Sequence, residues 1–244
     1  MAEIPERPPS LIATARAVYG LPPALTGLIL VFPIASAVGF ALALAYPPTE
    51  HRAVMLLAEN RLVENLTVVG YLAGVVPALM MAARMRAGNC RWAVLFWLMM
   101  AAICFGCAGE EVSWGQQIFH YQPPELFREA NVQHETNIHN LPIFQFLSAW
   151  FTSILGVLGL AAIAFHTRRR RDRSGIPSPV VTYALVLFLL GGCDDYDQWE
   201  PVSIAFGTLI GRLQELVEML FAFALAIGIA LALRRDSRRG AARG

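Results

Sequence analysis

Long uninterrupted apolar runs alternate along the chain with short polar connections, a spacing that suits helices crossing a bilayer. The first run covers residues 23–46 and ends at Pro47 and Pro48, which cannot continue it. Residues 50–61 mix Val54, Leu56 and Leu57 with polar side chains and read as interfacial helix, not a crossing. Further runs cover 62–83, 92–108, 143–166, 180–192 and 213–233. The third is expected to continue as a more polar helix through Gly109, Glu110, Glu111, Trp114 and Gln117. The fifth is short for a span and should be extended by the acidic residues after it. The pattern predicts an all-α integral membrane bundle of six transmembrane helices, with a folded outer loop over 120–141 between helices three and four. Residues 1–22 precede the membrane domain (23–233), and a basic tail, 234–244, follows it.

Composition agrees and excludes an ordinary soluble domain: 56% of the 244 residues are hydrophobic and 15% charged, with a mean hydropathy of +0.51. Glu3, Glu6, Pro8 and Pro9 come before any apolar run, which is not the basic-then-apolar order of a cleaved signal peptide. Short loops rich in Arg stay cytoplasmic. Arg84, Arg86 and Arg91, the run Arg168 to Arg171 with Arg173, and the five arginines after segment six all fall on one side of a six-span topology. Arg7 and Arg16 join them, leaving only Arg52, Arg61, Arg128 and Arg212 opposite. This places both termini in the cytoplasm and the protein in the cytoplasmic (inner) membrane. The run Arg168 to Arg173 reads as a topology determinant with affinity for anionic lipid, and a nucleic-acid partner is not expected beside so short a loop.

The acids fall on the other side. Glu64 and Asn65 open segment two, Glu110 and Glu111 close segment three, Asp194 and Asp195 follow segment five, and Glu215 and Glu218 open segment six. Outer loops hold polar residues anyway, which is enough to account for Glu50, Glu125, Glu129 and Glu200. Carboxylates embedded in helix ends are different, because a charge at the centre of a span costs about 2.5–3.5 kcal/mol and is usually turned toward a cavity or a partner. Grouped carboxylates need a cation, an Arg or shared protons, and Arg212, one turn before Glu215, is the nearest cation in the sequence.

Chemistry is densest between segments three and four. The stretch Gly109 to Gln117 reads Gly-Glu-Glu-Val-Ser-Trp-Gly-Gln-Gln, and Asn131 to Asn140 reads Asn-Val-Gln-His-Glu-Thr-Asn-Ile-His-Asn. If the second stretch is helical, Glu135 and His139 share a face and His134 does not. His-Glu-x-x-x-His is one residue too long for the zinc-protease helix. A divalent metal (zinc, iron or manganese) held by Glu111, Glu135, His139 and Glu218 nevertheless suits carboxylate and imidazole donors. Glu110, Glu64 or Glu215 would then be catalytic, as general base or support for a metal-bound water. The plainer alternative is that Asn131, Asn137 and Asn140 cap helices and hydrogen-bond a folded-back loop. On these two blocks the chain resembles a group of uncharacterised bacterial polytopic membrane proteins that share Glu-Glu-x-Ser-Trp-Gly-Gln and Asn-x-Gln-x-Glu-x-Asn-x-His-Asn-Leu. Glu110 to Gln116 and Asn131 to Leu141 carry both motifs, Glu64, Glu215 and Glu218 are also similar, and the resemblance implies the membrane fold but no activity.

Cys104 and Cys107 form Cys-x-x-Cys inside segment three, where helix packing is the simpler role, and the tryptophans suit interfacial positions. Two functions from different classes follow. One is a metal-dependent hydrolase or oxidoreductase acting on a lipid or other amphipathic substrate. The other is a non-catalytic transporter, or an accessory subunit of a membrane complex, whose acids serve as a cation or proton site.

Overall fold

The computed structural model describes residues 10–58, 61–88, 90–131, 134–138, 141–168, 177–192 and 211–242, and among them it is entirely helical. Helices α1 (Leu11–Tyr19), α2 (Pro23–Ala45), α3 (Pro47–Leu57), α4 (Leu62–Ala87) and α5 (Arg91–Glu111) follow one another closely. Two short helices, α6 (Gln116–Phe119) and α7 (Glu125–Ala130), lie in the connection to α8 (Pro142–Arg168). Then come α9 (Val181–Leu190) and α10 (Gln214–Ala241). Four helical stretches are long and apolar enough to cross a membrane: Pro23–Ala45, Leu62–Ala87, Arg91–Glu111 and Gly211–Ala241. Phe151–Phe165 and Ser178–Leu190 are shorter apolar helices. This is the build of a multi-pass membrane protein, and all six apolar runs read from the sequence are helices, the first five within about four residues of their expected limits.

Helix α4 is the central packing element, lying against α5 on one side and α10 on another. Its contact face is Gly70, Gly74 and Ala78, small residues one turn apart, and small residues are what let membrane helices approach closely. A Cβ at Gly70 would meet the Phe223 ring and Ala222 of α10 at 2.7–3.0 Å, and one at Gly74 would meet the Cys104 sulfur of α5 at 2.9 Å. Cys104 is buried against Ala78, Ala101 and Ile229, so the packing role expected for it is what the structure shows. The α8–α9 pair is built the same way: a Cβ at Gly156 would collide with the Phe188 backbone, and Ser153 Oγ donates to the Phe188 carbonyl at 3.3 Å.

The ends of the bundle differ in charge. At one end Arg84 of α4 bonds Ser237 Oγ (2.6 Å) and pairs with Asp236 (3.6 Å) on α10. There Arg234 also donates to the carbonyls of Tyr19 and Gly20, which close α1 in a left-handed turn at Gly20 (φ 64°). Residues 11–19 had no helix assigned from sequence, since nine residues with two apolar contacts, Ala15 and Tyr19, give little periodic signal. The tail is likewise helical, because α10 continues past residue 233 to Ala241. At the other end lie the start of α4, the end of α5 and the start of α10, with Arg212 paired to Glu50 of α3 at 3.9 Å. The stretch expected to be a short helix over 50–61 is helical as α3, which is set off from α2 by Pro47 and Pro48 in its first turn.

Candidate functional site

Adjacent residues at the end of α5 face two different assemblies. Glu111 lies in the electrostatic field of Glu218, Glu215, Glu64 and Glu110, so carboxylates of α4, α5 and α10 share one end of the bundle. Glu64 is buried, Gln214 Nε2 donates to Glu218 Oε1 at 2.9 Å, and Glu64 and Glu215 each occupy the first turn of their helix, where the positive end of the helix dipole favours a carboxylate. Beneath them the Tyr71 hydroxyl meets the Cys107 thiol, and the two lie in the fields of Glu111 and, for Tyr71, Glu218. Neither Tyr71 nor Cys107 stood out in the sequence as part of a site. The spacing was there to read, because Tyr71 falls seven residues after Glu64 and Cys107 four before Glu111, which puts each on its acid's helix face.

Glu110 turns instead into the connection that follows. Its Oε1 accepts from Trp114 Nε1 at 2.6 Å and its Oε2 from the backbone N–H of Ile138 at 2.5 Å, pinning the two polar blocks together across 28 residues of sequence. Between these anchors the chain makes a tight reversal. Ser113, Trp114 and Gly115 all have positive φ (46°, 53° and 90°), which costs about 1–2 kcal/mol for each residue with a side chain. At Gly115 a side chain would also have its Cβ 3.0 Å from the Phe119 ring. Gly109 is required for a different reason, since the Trp114 ring lies over it, 3.0 Å from where a Cβ would be.

The strain at this reversal is held by a buried polar network. Ser113 Oγ donates to Glu135 Oε2 at 2.5 Å, and Asn137 Nδ2 donates to both Ser113 Oγ (3.0 Å) and Glu135 Oε2 (2.9 Å). Asn131 Nδ2 donates to the Asn137 side-chain oxygen at 2.8 Å and to its carbonyl at 2.9 Å, while Asn131 Oδ1 accepts from the Glu135 amide at 3.3 Å. Gln116 Oε1 takes both the amide and the hydroxyl of Thr136, at 2.7 and 2.8 Å. His134 Nδ1 lies 2.6 Å from the Arg128 carbonyl. Ser113, Asn131 and Asn137 are fully buried, so the loop-fastening role weighed for the asparagines is what Asn131 and Asn137 perform. The described part of 131–141 is not helical, so the helix-face pairing of Glu135 with His139 does not apply.

The structure thus separates the residues named from sequence. Glu64, Glu111, Glu215 and Glu218 gather in the bundle, Glu135 is fastened in the loop, and Glu110 touches both. His139, Asn140, Asp194 and Asp195 lie outside the described residues. Among the described residues no three His, Cys, Asp or Glu side chains are disposed to share a metal ion. The carboxylate assembly opens to the surface at Glu215, which with Met55, Leu57, Ala58 and Arg61 lines an open groove of about 490 Å³. No family model, curated protein or solved structure matches the chain.

Proposed function

We propose that this chain is a six-span protein of the cytoplasmic membrane, with both termini inside, that holds a divalent cation at its outward end and uses it on a lipid or other amphipathic substrate. The observation that carries the reading is that Glu111 of α5 lies in the electrostatic field of Glu64 on α4 and of Glu215 and Glu218 on α10, at the acidic end and beside a groove open to the surface. A divalent cation would offset the mutual repulsion of these carboxylates. Glu111 and Glu218 are the best placed ligands and His139 would complete the set, giving donors that suit zinc, iron or manganese. A cation there would supply Lewis acidity or an activated water. Glu64 and Glu215 are placed to take up a proton, whereas Glu110, with an oxygen bound on each side, positions the loop.

Elemental analysis of protein purified without chelator tests this. One equivalent of metal is expected in the wild type, with loss in Glu111→Gln and His139→Ala while both still insert and extract normally. A second reading, a non-catalytic transporter or complex subunit in which the carboxylates share protons, is favoured by the lack of three convergent ligands among the described residues. Metal-free wild type that co-purifies with a stoichiometric membrane partner would decide for it.

A further inference from the structure

The groove at the acidic end pairs opposite charges on an apolar wall. Its apolar side is Met55, Leu57 and Ala58 from the end of α3, and its charged side is Arg61, directly before α4, with Glu215 in the first turn of α10. Arg61 is exposed, and no side chain caps the first turn of α4 behind it, so backbone N–H groups add to its positive field. Glu215 belongs to the carboxylate assembly around Glu111. Outside the groove the apolar surface continues through the exposed Leu56 and Leu62, on an interfacial helix and at the head of a spanning one.

We infer that this groove seats a zwitterionic phospholipid, its phosphate on Arg61, its ammonium on Glu215 and the start of its acyl chains along Met55. The inference rests on the amphiphile reading above and narrows it to a headgroup class. A guanidinium fits a phosphate through two parallel hydrogen bonds. Glu215 on the same wall disfavours a ligand with net negative charge, so a phosphate alone meets one favourable and one unfavourable partner. A headgroup carrying an ammonium beside its phosphate satisfies both sides. The exposed apolar side chains at the same depth favour a tail over water and distinguish a lipid from a free phosphate ion.

Wild type, Arg61→Ala, Glu215→Gln and Met55→Asp are each reconstituted with equal amounts of phosphatidylethanolamine and phosphatidylglycerol, and the lipid retained after mild delipidation is counted by native mass spectrometry. The wild type is expected to retain phosphatidylethanolamine about tenfold over phosphatidylglycerol, the charge difference being one ammonium on Glu215 (about 1.4 kcal/mol). Arg61→Ala should lose both lipids. Glu215→Gln should keep binding but lose the preference, and Met55→Asp, on the apolar wall, should weaken both. Equal retention by wild type and Arg61→Ala overturns the proposal, as does displacement of the lipid by millimolar inorganic phosphate. Metal content is read on the same samples. Lipid discrimination by a metal-free wild type would retain the groove and discard the cation, whereas a metal-loaded wild type that does not discriminate would do the reverse.

Discussion

The two ends of the bundle use their charged groups in opposite ways. At the basic end Arg84 and Asp236 are each more than a third exposed, and Arg234 caps the last carbonyls of α1. Those charges stay near water and act as clips between elements. At the acidic end, carboxylates from three helices lie in the field of Glu111, and Arg212 pairs with Glu50 of α3. The lesson is that charge at a membrane surface is unremarkable when it is paired and wet. Like charges brought together on rigid, small-residue-packed helices need something further to hold them.

The largest expected effect concerns which end faces outward. In a background lacking cysteine, a single Cys at Arg86 or Ser174 should resist an impermeant maleimide in intact cells, whereas one at Glu129 in α7 should react almost fully. Labelling at Arg86 with protection at Glu129 would invert the assignment and turn the carboxylates toward the cytoplasm.

Next comes the network that fastens the loop over the acidic end. Asn137→Ala removes the two hydrogen bonds that its Nδ2 donates, to Glu135 Oε2 and Ser113 Oγ, and the side-chain acceptor of one Asn131 Nδ2 bond, a loss of about 2–3 kcal/mol. The loop should become cleavable by protease while the spanning helices remain intact, and unchanged protection would mean that the network is not what holds it. Gly115→Ala places a side chain at φ 90° against Phe119 and should cost about 1–2 kcal/mol, seen as a lower thermal midpoint in detergent. The smallest effect is at the basic end. Arg84→Ala removes an exposed pair worth less than about 1 kcal/mol, so its midpoint should stay within a few degrees of wild type.

Much of this contrast was legible in the sequence because the signals are strong and local. Apolar runs bounded by proline or arginine mark the helices, four of them long enough to cross a membrane, and the distribution of Arg against Glu along the chain separates the ends. The site was legible only in part. Glu64, Glu111, Glu215 and Glu218 stand out in the sequence because carboxylates in apolar helices are costly, and the structure puts Glu111 in the field of the other three. Glu135 is grouped with them only if its stretch is helical, but 134–138 is not helical and His134 has a positive φ of 56°. Asn-rich segments make their own hydrogen bonds in place of a helix ladder. Ser113, the centre of that network, gave no signal beyond its place between Glu111 and Trp114. The α4 face Gly70, Gly74, Ala78 was present as small residues four apart and went unread, although it sets the distance between the acid-bearing helices.

The central claim is that the carboxylates of the acidic end are held by a bound cation, and thermal unfolding of wild type against Glu111→Gln tests it most directly. In chelator the Gln variant should unfold above wild type, since one member of a mutually repelling set is gone. Added zinc or manganese should then raise the wild-type midpoint by several degrees, through preferential binding to the folded state, and leave the variant nearly unmoved. A wild type indifferent to every divalent metal, together with a Gln variant that unfolds below it in chelator, would show that Glu111 is held by its protein neighbours alone and would contradict the account.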